Sequence, residues 1–436
     1  MKKLNYTDYS KFILFIMVQL ICLGLSPQVT IGSGIEPEKG ALLDLKEEQK
    51  DDGTANTTKG LILPRTNLTE IDQLYPMYEA GSSIDKYKYG TQELDKVTED
   101  SRHIGLTVYN LKGCNGFVKG IYTWDGIAWV RWEMDQSDKT MLFTDQDGNK
   151  FRARNFGKAG IWMTENLRAV TYANENPGPT LSSVQSSIQK YYCYPAPANN
   201  PEMINDGTND KYFKELPAIG LLYNKAAALN GENNSTEEQG QIQGAIPGPY
   251  EVESVAPNGR IQGICPNGWH LPSDREWNEL EREIYNNPQE YSSYIKTEYQ
   301  LWNPQQWNPS WEILESSTSR GSSTNEGHGR AMMGPCLLPG SPYKGTYTGK
   351  SKISLLGGFD ALLVGTAHNG KISDGIDQYG YATYFWSSSA SFSNMMLWYR
   401  SIGVERTLLM QSVVRHRLHM SGIDTFFSVR CKKNNN

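Results

Sequence analysis

Ile264 to Leu280, ICPNGWHLPSDREWNEL, is the stretch that most restricts how this chain can fold. Pro266, Asn267 and Gly268 carry turn chemistry directly after Cys265, because Asn and Gly tolerate the backbone angles of a tight turn. Trp269, His270 and Leu271 read as a short extended segment. Ser273, followed three residues later by Glu276, forms a capping box in which each side chain satisfies an exposed backbone N–H of a new helix. Asp274 places negative charge in the first turn, where the helix dipole favours it. Trp277, Leu280 and Ile284 share one apolar face, and Asn286, Asn287 and Pro288 end the helix.

Four further segments accompany this one: Gly160 to Arg168 (GIWMTENLR), Gly220 to Ala228 (GLLYNKAAA), Phe385 to Ser389 (FWSSS) and Phe427 to Cys431 (FSVRC). Together, in this order, they resemble the Fibrobacter succinogenes major paralogous domain family, a set of bacterial, mostly Bacteroidetes, surface modules. HLPSDREW is also similar to the RLPTEAEWE signature of formylglycine-generating sulfatase-modifying enzymes, and the resemblance implies their C-type-lectin-like fold. One departure is Lys225, where the family usually carries Trp, which puts one packing contact in doubt. The expected class is α+β, a C-type-lectin-like domain over residues 140–434 preceded by a small β-rich module.

At the N-terminus, Lys2, Lys3 and Lys11 precede an uncharged apolar run from Phe12 to Leu25. That run is short of the roughly 20 residues a membrane-spanning helix needs and fits a secretory signal peptide over residues 1–27. Lipidation at Cys22 is disfavoured by the bulky Ile21 before it. The chain is expected to leave the cytoplasm for the cell surface or outer envelope, or to be secreted, with no transmembrane span in its mature form. A formal net charge of −6 supplies no overall basic field for nucleic acid.

Residues 28–133 have a different texture, with short apolar runs broken by Gly, Asp and Pro, and are similar to modules of Bacteroidetes surface proteins and to tail-fibre segments. Trp124, Asp125 and Gly126 form a hairpin turn between Ile121–Trp124 and Ala128–Trp132. Ser82 to Asp100 is polar and tyrosine-rich and reads as a long loop. Residues 134–139 (MDQSDK) are a polar linker. Leu142 to Arg168 reads as three strands with a DxDGN turn at Asp145 to Asn149, whose calcium-loop spacing lacks the acidic residue at position 12. Asn174 to Pro201, Asn230 to Gly263 and Ser316 to Arg330 are low-complexity insertions of the kind that form functional or disordered loops.

Five cysteines remain after the leader, none in a CxxC pair, so thiolate zinc sites and thioredoxin-like chemistry are not expected. In an exported protein disulfides are permitted. Cys265 with Cys431 is the expected structural pair, against the alternative that all are buried reduced thiols. Cys114, Cys193 and Cys336 are left unassigned, and the odd total requires one thiol free or intermolecular.

No catalytic residue, cofactor or metal site is expected. The adjacent cysteines that hold copper in the formylglycine-generating enzymes have no counterpart, nor does the HxxxHxE signature of the fold's iron-dependent members. The EPN, QPD and WND elements of calcium-dependent lectins are missing too. His416 and His419 would point to opposite faces of a strand. A metal-dependent oxidase of the formylglycine-generating type and a calcium-dependent lectin are therefore the alternatives to a non-enzymatic binding, adhesion or envelope-assembly module. Its expected ligand site is the aromatic and basic segment with Trp398, Tyr399, Arg400, Arg406, Arg415 and Arg417, suited to a surface glycan, including anionic ones such as sulfated or uronic glycans, or to a protein partner. The competing reading of these aromatics is plain core, and of these charges a solvated loop.

Overall fold

The computed structural model describes residues 29–31, 41–48, 55, 57–114, 117–132, 139–174, 177–182, 189–197, 208–231, 260–299, 307, 311, 320, 327–342, 349–368, 371–372, 378–391, 396–404, 411–419 and 425–434. The signal-peptide segment, Arg406, and much of each low-complexity insertion lie outside them. The chain divides into two compact units, Met1–Pro64 and Arg65–Asn436. In the first, Val29–Ile31 pairs in parallel with Leu43–Leu45.

The second unit begins with a small sheet ordered Arg65–Thr66, Thr107–Asn110, Gly120–Trp124, Trp129–Arg131. Trp124 and Trp129 face each other across the hairpin read from the sequence. Asp125 closes its turn by accepting from the Ile127 and Ala128 amides at 2.8 and 2.7 Å. Alternation puts Val108, Tyr122, Trp124 and Trp129 inside, with Leu68, Leu74, Tyr87 and Phe117. Both buried indoles are satisfied, Trp124 donating to the Asp100 carbonyl and Trp129 to that of Gln73. Buried Asn110 stitches the loops, accepting from the Leu68 amide and donating to the carbonyls of Lys112 and Val118.

Ser82 to Asp100 is not a long loop. It holds the strands Lys86–Tyr89 and Gln92–Asp95, which form a three-stranded sheet with Glu79–Ala80, and the start of a helix, Lys96–Arg102. Tyr87 overrides the polar composition. It is fully buried, stacks on Tyr78 at 5.1 Å and donates to Asp100, while Asp95 caps the helix through the Thr98 amide.

The rest of the unit is built on two sheets. The first is antiparallel, ordered Met141–Thr144, Lys150–Asn155, Ile161–Met163, Lys432–Lys433, Trp269–His270. Its closing pair, Trp162 with Lys432, joins the two ends of this part of the chain. The second sheet runs Thr180–Leu181, Tyr191–Cys193, Leu222–Asn224, Thr425–Ser428, Ala382–Ser391, Met396–Val404, Gln411–His419. Helices and sheets together make the class α+β, as expected.

The central helix spans Asp274–Asn286 and carries the full Ser273–Glu276 capping box. Gly268 turns the chain into it with φ +79°, and the Trp269 amide closes that turn on the Pro266 carbonyl at 2.9 Å. Trp277, Leu280 and Ile284 bury against Trp162, Phe359, Phe385 and Ile402. Trp277 meets Trp162 edge-on at 5.0 Å.

Candidate functional site

A second stripe of the central helix is also buried. Asp274, Asn278 and Glu281 recur at i, i+4 and i+7, so they line up beside the apolar stripe, and they face Met396–Val404 and Gln411–His419. Arg400 and Arg415 stand directly opposite each other on those strands. Two like charges in that position repel, and the helix supplies the counter-charge. The Asp274 carboxylate accepts from Arg400 Nη1 at 2.5 Å and from Arg415 Nε and Nη2 at 2.9 and 2.7 Å. Glu281 accepts from Arg400 Nε at 2.7 Å, Arg320 Nη1 at 3.0 Å and His328 Nε2 at 3.1 Å. Asn278 Oδ1 joins Arg320 to Arg400 at 2.7 and 2.8 Å. Trp398 lies under the Arg415 guanidinium, 3.4 Å from its ring centroid.

These carboxylates and guanidiniums are fully buried or within 1% of it. Burial alone would raise the Glu281 carboxyl, but Arg320 and Arg400 outweigh it and hold the group at about 2. Arg320, with one carboxylate beside it, is drawn down by burial to about 10. Arg400 has two, and these overcome burial and raise it. Burial lowers His328.

The basic segment expected to face a ligand is therefore turned inward at two of its arginines. Arg400 and Arg415 cannot be part of an exposed patch, because the strands' alternation aims them at the helix and their charges are spent on Asp274 and Glu281. Trp398 is core at 1% exposure. Tyr399 is half-buried, stacked with His416 at 5.7 Å and packed on Phe427 at 4.9 Å. The backbone of Arg417 lies in the strand Gln411–His419, which also holds His416 and His419. The side chains of Arg417 and His419 lie outside the described residues.

The motif segments bond to one another. His270 Nε2 and Lys432 Nζ each meet the Glu276 carboxylate at 3.0 Å. Burial alone would raise the Glu276 carboxyl, yet His270 and Lys432 hold it well below the usual carboxylate range. Ser389 of FWSSS accepts from the Asp274 amide at 2.9 Å, and the Trp386 indole donates to the Tyr223 carbonyl in GLLYN at 2.8 Å. Asn166 of TENLR accepts from Arg430 Nε of FSVRC at 2.8 Å and donates to the Ile219 carbonyl at 3.0 Å.

Cys265 and Cys431 are bonded as expected, with Cα atoms 5.9 Å apart. Cys114 pairs with Cys336, and Cys193 is a buried free thiol. In the DxDGN turn the Asp145 carboxylate accepts from the Asp147 and Asn149 amides at 3.0 and 2.8 Å, and Asp147 accepts from Val170 and Thr171. Both carboxylates thus serve a β-turn and its neighbour. Among the described residues no cluster of three or more His, Cys, Asp or Glu is arranged to hold a metal. Lys225 opens the helix Lys225–Leu229 half-buried, and burial lowers its ammonium to about 8.

Sequence reasoning missed Arg430 and Asp360. Arg430, fully buried between Phe359 and Phe385, donates to the carbonyls of Phe359 and Asp360. Asp360 adopts φ +51°, a conformation Asp and Asn tolerate best among non-glycine residues. Its Oδ2 accepts from the Ser354 amide at 2.7 Å, and its Oδ1 has no partner among the described residues. Burial raises this carboxyl to about 6, against weaker pulls from Ser354 and Arg430. A raised folded-state value makes the protonated acid the favoured form. Its stabilisation is complete below about 3.8, the ordinary value, and is lost as pH rises through about 6. The shift corresponds to about 3 kcal/mol. The difference in urea stability between the wild type and Asp360→Asn should swing by that order between about pH 4 and 7, in favour of Asn at the higher pH. A pH-independent difference would refute the assignment.

The exposed apolar residues of the described surface are unevenly placed. Fifteen of the nineteen exposed large hydrophobic residues among those described fall between Leu42 and Trp132. On the four-stranded sheet, the face opposite the core carries Tyr109, Leu111, Ile121, Val130 and Trp132. Trp132 is 61% exposed and Val130 48%.

Residues 30–141 match the phage tail like trimerisation region. No curated protein and no solved structure matches the chain. Residues 158–433 match the Fibrobacter succinogenes major domain, and they contain every motif segment whose side chains interlock around the central helix. The chain belongs to the Fibrobacter succinogenes major domain family.

Proposed function

We propose that this chain is an exported, non-catalytic recognition or assembly module of the cell envelope. In this reading a C-type-lectin-like domain is carried on a β-rich region that associates as a trimer. The observation that carries it is the contrast between the two regions. The buried carboxylates of the central helix, Asp274, Glu276 and Glu281, are taken up by Arg400, Arg415, Arg320, His270 and Lys432, so their chemistry serves the fold. The apolar surface gathers instead in the region similar to a trimerisation module, and exposed apolar patches of this kind mark interaction sites. Two disulfides accord with an oxidising compartment. Among the described residues no helix is long and apolar enough to cross a membrane.

Sedimentation equilibrium of the purified exported chain, together with metal analysis, tests this. The expected mass is that of three chains, with no stoichiometric copper, iron or calcium. A single-chain mass at micromolar concentration would remove the trimer, and a bound redox metal would restore the oxidase alternative.

A further inference from the structure

We propose that the outer face of the four-stranded sheet, made by Tyr109, Leu111, Ile121, Val130 and Trp132, is where a second copy of this chain docks. This rests on the trimer reading above and deepens it by naming the seam. The pairing fixes the face. Tyr109 stands opposite Ile121, and Thr123 opposite both Thr107 and Val130. Side chains alternate, so these residues all point away from the core that Val108, Tyr122, Trp124 and Trp129 fill.

The face is built to be covered. Trp132 follows Val130 by two residues and lies over the sheet, its indole donating to Thr123 Oγ1 at 2.7 Å, while Thr123 and Thr107 share a hydrogen bond at 2.9 Å. The Trp132 indole N–H and the Thr123 and Thr107 hydroxyls are thus paired within the sheet, and a partner could exclude water from them without orphaning them. The indole is held in place before contact, which lowers the ordering cost of binding. Tyr and Trp are also the residues over-represented at interface hot spots. Arg65, opposite Tyr109 on the edge strand, supplies a polar rim.

The face lies wholly within residues 30–141, the span similar to a trimerisation region. The chain that follows, residues 133–138 (EMDQSD), offers one apolar side chain, Met134, against an apolar surface of five residues. A three-fold ring joins unlike surfaces, so this face on one copy meets a different patch on the next.

The test uses the full exported chain. Val130→Glu and Trp132→Glu place a charge on the face, Tyr109→Lys is a third variant at a site that points away from the core, and Ile84→Glu, at a position 91% exposed and outside the face, is the control. Circular dichroism and thermal melts establish which variants fold, and sedimentation equilibrium reads the association. The expected result is about thirtyfold or greater weakening for the folded face variants, with the control unchanged. A trimeric wild type whose face variants stay trimeric overturns the seam and leaves the trimer reading standing. A monomeric wild type overturns both. A photo-crosslinker at Trp132 that captures only this chain's own residues 133–138, or an unrelated protein, also overturns it.

Discussion

Replacing Asp274 by alanine is expected to destabilise the protein by about 3–5 kcal/mol, or to prevent folding altogether. The carboxylate accepts from two arginines that face each other across neighbouring strands and are fully buried or within 1% of it. Its removal strands two guanidiniums next to each other, with only Glu281 left to balance three. The cost belongs to the orphaned charges more than to the lost bonds, which gives the prediction a second arm. Asp274→Ala combined with Arg415→Met should recover part of the loss, because methionine can occupy the space over Trp398 without a charge. Urea unfolding of the single and double variants checks both arms. A single-variant loss under about 1 kcal/mol, or a double variant worse than the sum of its parts, would show that the cluster does not behave as a coupled unit. Acid should act in the same direction. Glu281 is held at about 2 against an ordinary value of 4.5, so its contribution is present above about 4.5 and fades as pH falls toward 2.

The Cys265–Cys431 bond should be worth about 5 kcal/mol in the chain-entropy account, given its separation of 166 residues. It anchors the turn that leads into the central helix to the strand that closes the first sheet. Both sulfurs lie in the core at 0% exposure, so a reductant gains access only through unfolding. A Cys265→Ala, Cys431→Ala variant should lose stability by that order. In the native chain this bond should resist thiol reductants until the denaturation midpoint. Equal urea midpoints for the wild type and the double variant would refute the estimate.

The central helix was legible down to its cap. Its turn, its first residue and its apolar stripe are local matters, and local chemistry settles them. The polar stripe beside it went unread, although Asp274, Asn278 and Glu281 recur at helical spacing. Its meaning required Arg320, Arg400 and Arg415, whose distance along the chain hides their meeting. For that reason Arg400 and Arg415 read as a surface patch when they are the reverse. Arg430 shows the same limit, because a strand residue's alternation does not say which of two faces will be dry. Tyr87 failed for another reason. One large ring, placed to pack on Tyr78 and to donate to Asp100, ordered a stretch whose average composition is that of a loop. The Cys265–Cys431 pair was read in advance. Cys114–Cys336 was not, because nothing near either cysteine marks the other.

That second bridge, between the loop after Thr107–Asn110 and a segment 222 residues later, has a bearing on wear. A protease that severs the backbone once between Trp132 and Lys139 yields two polypeptides but not two molecules. The halves travel together on a non-reducing gel and separate only when thiol is added. The bridge thus supplies a redundancy: whatever is held on one half keeps its tether to the other after the peptide thread between them is gone.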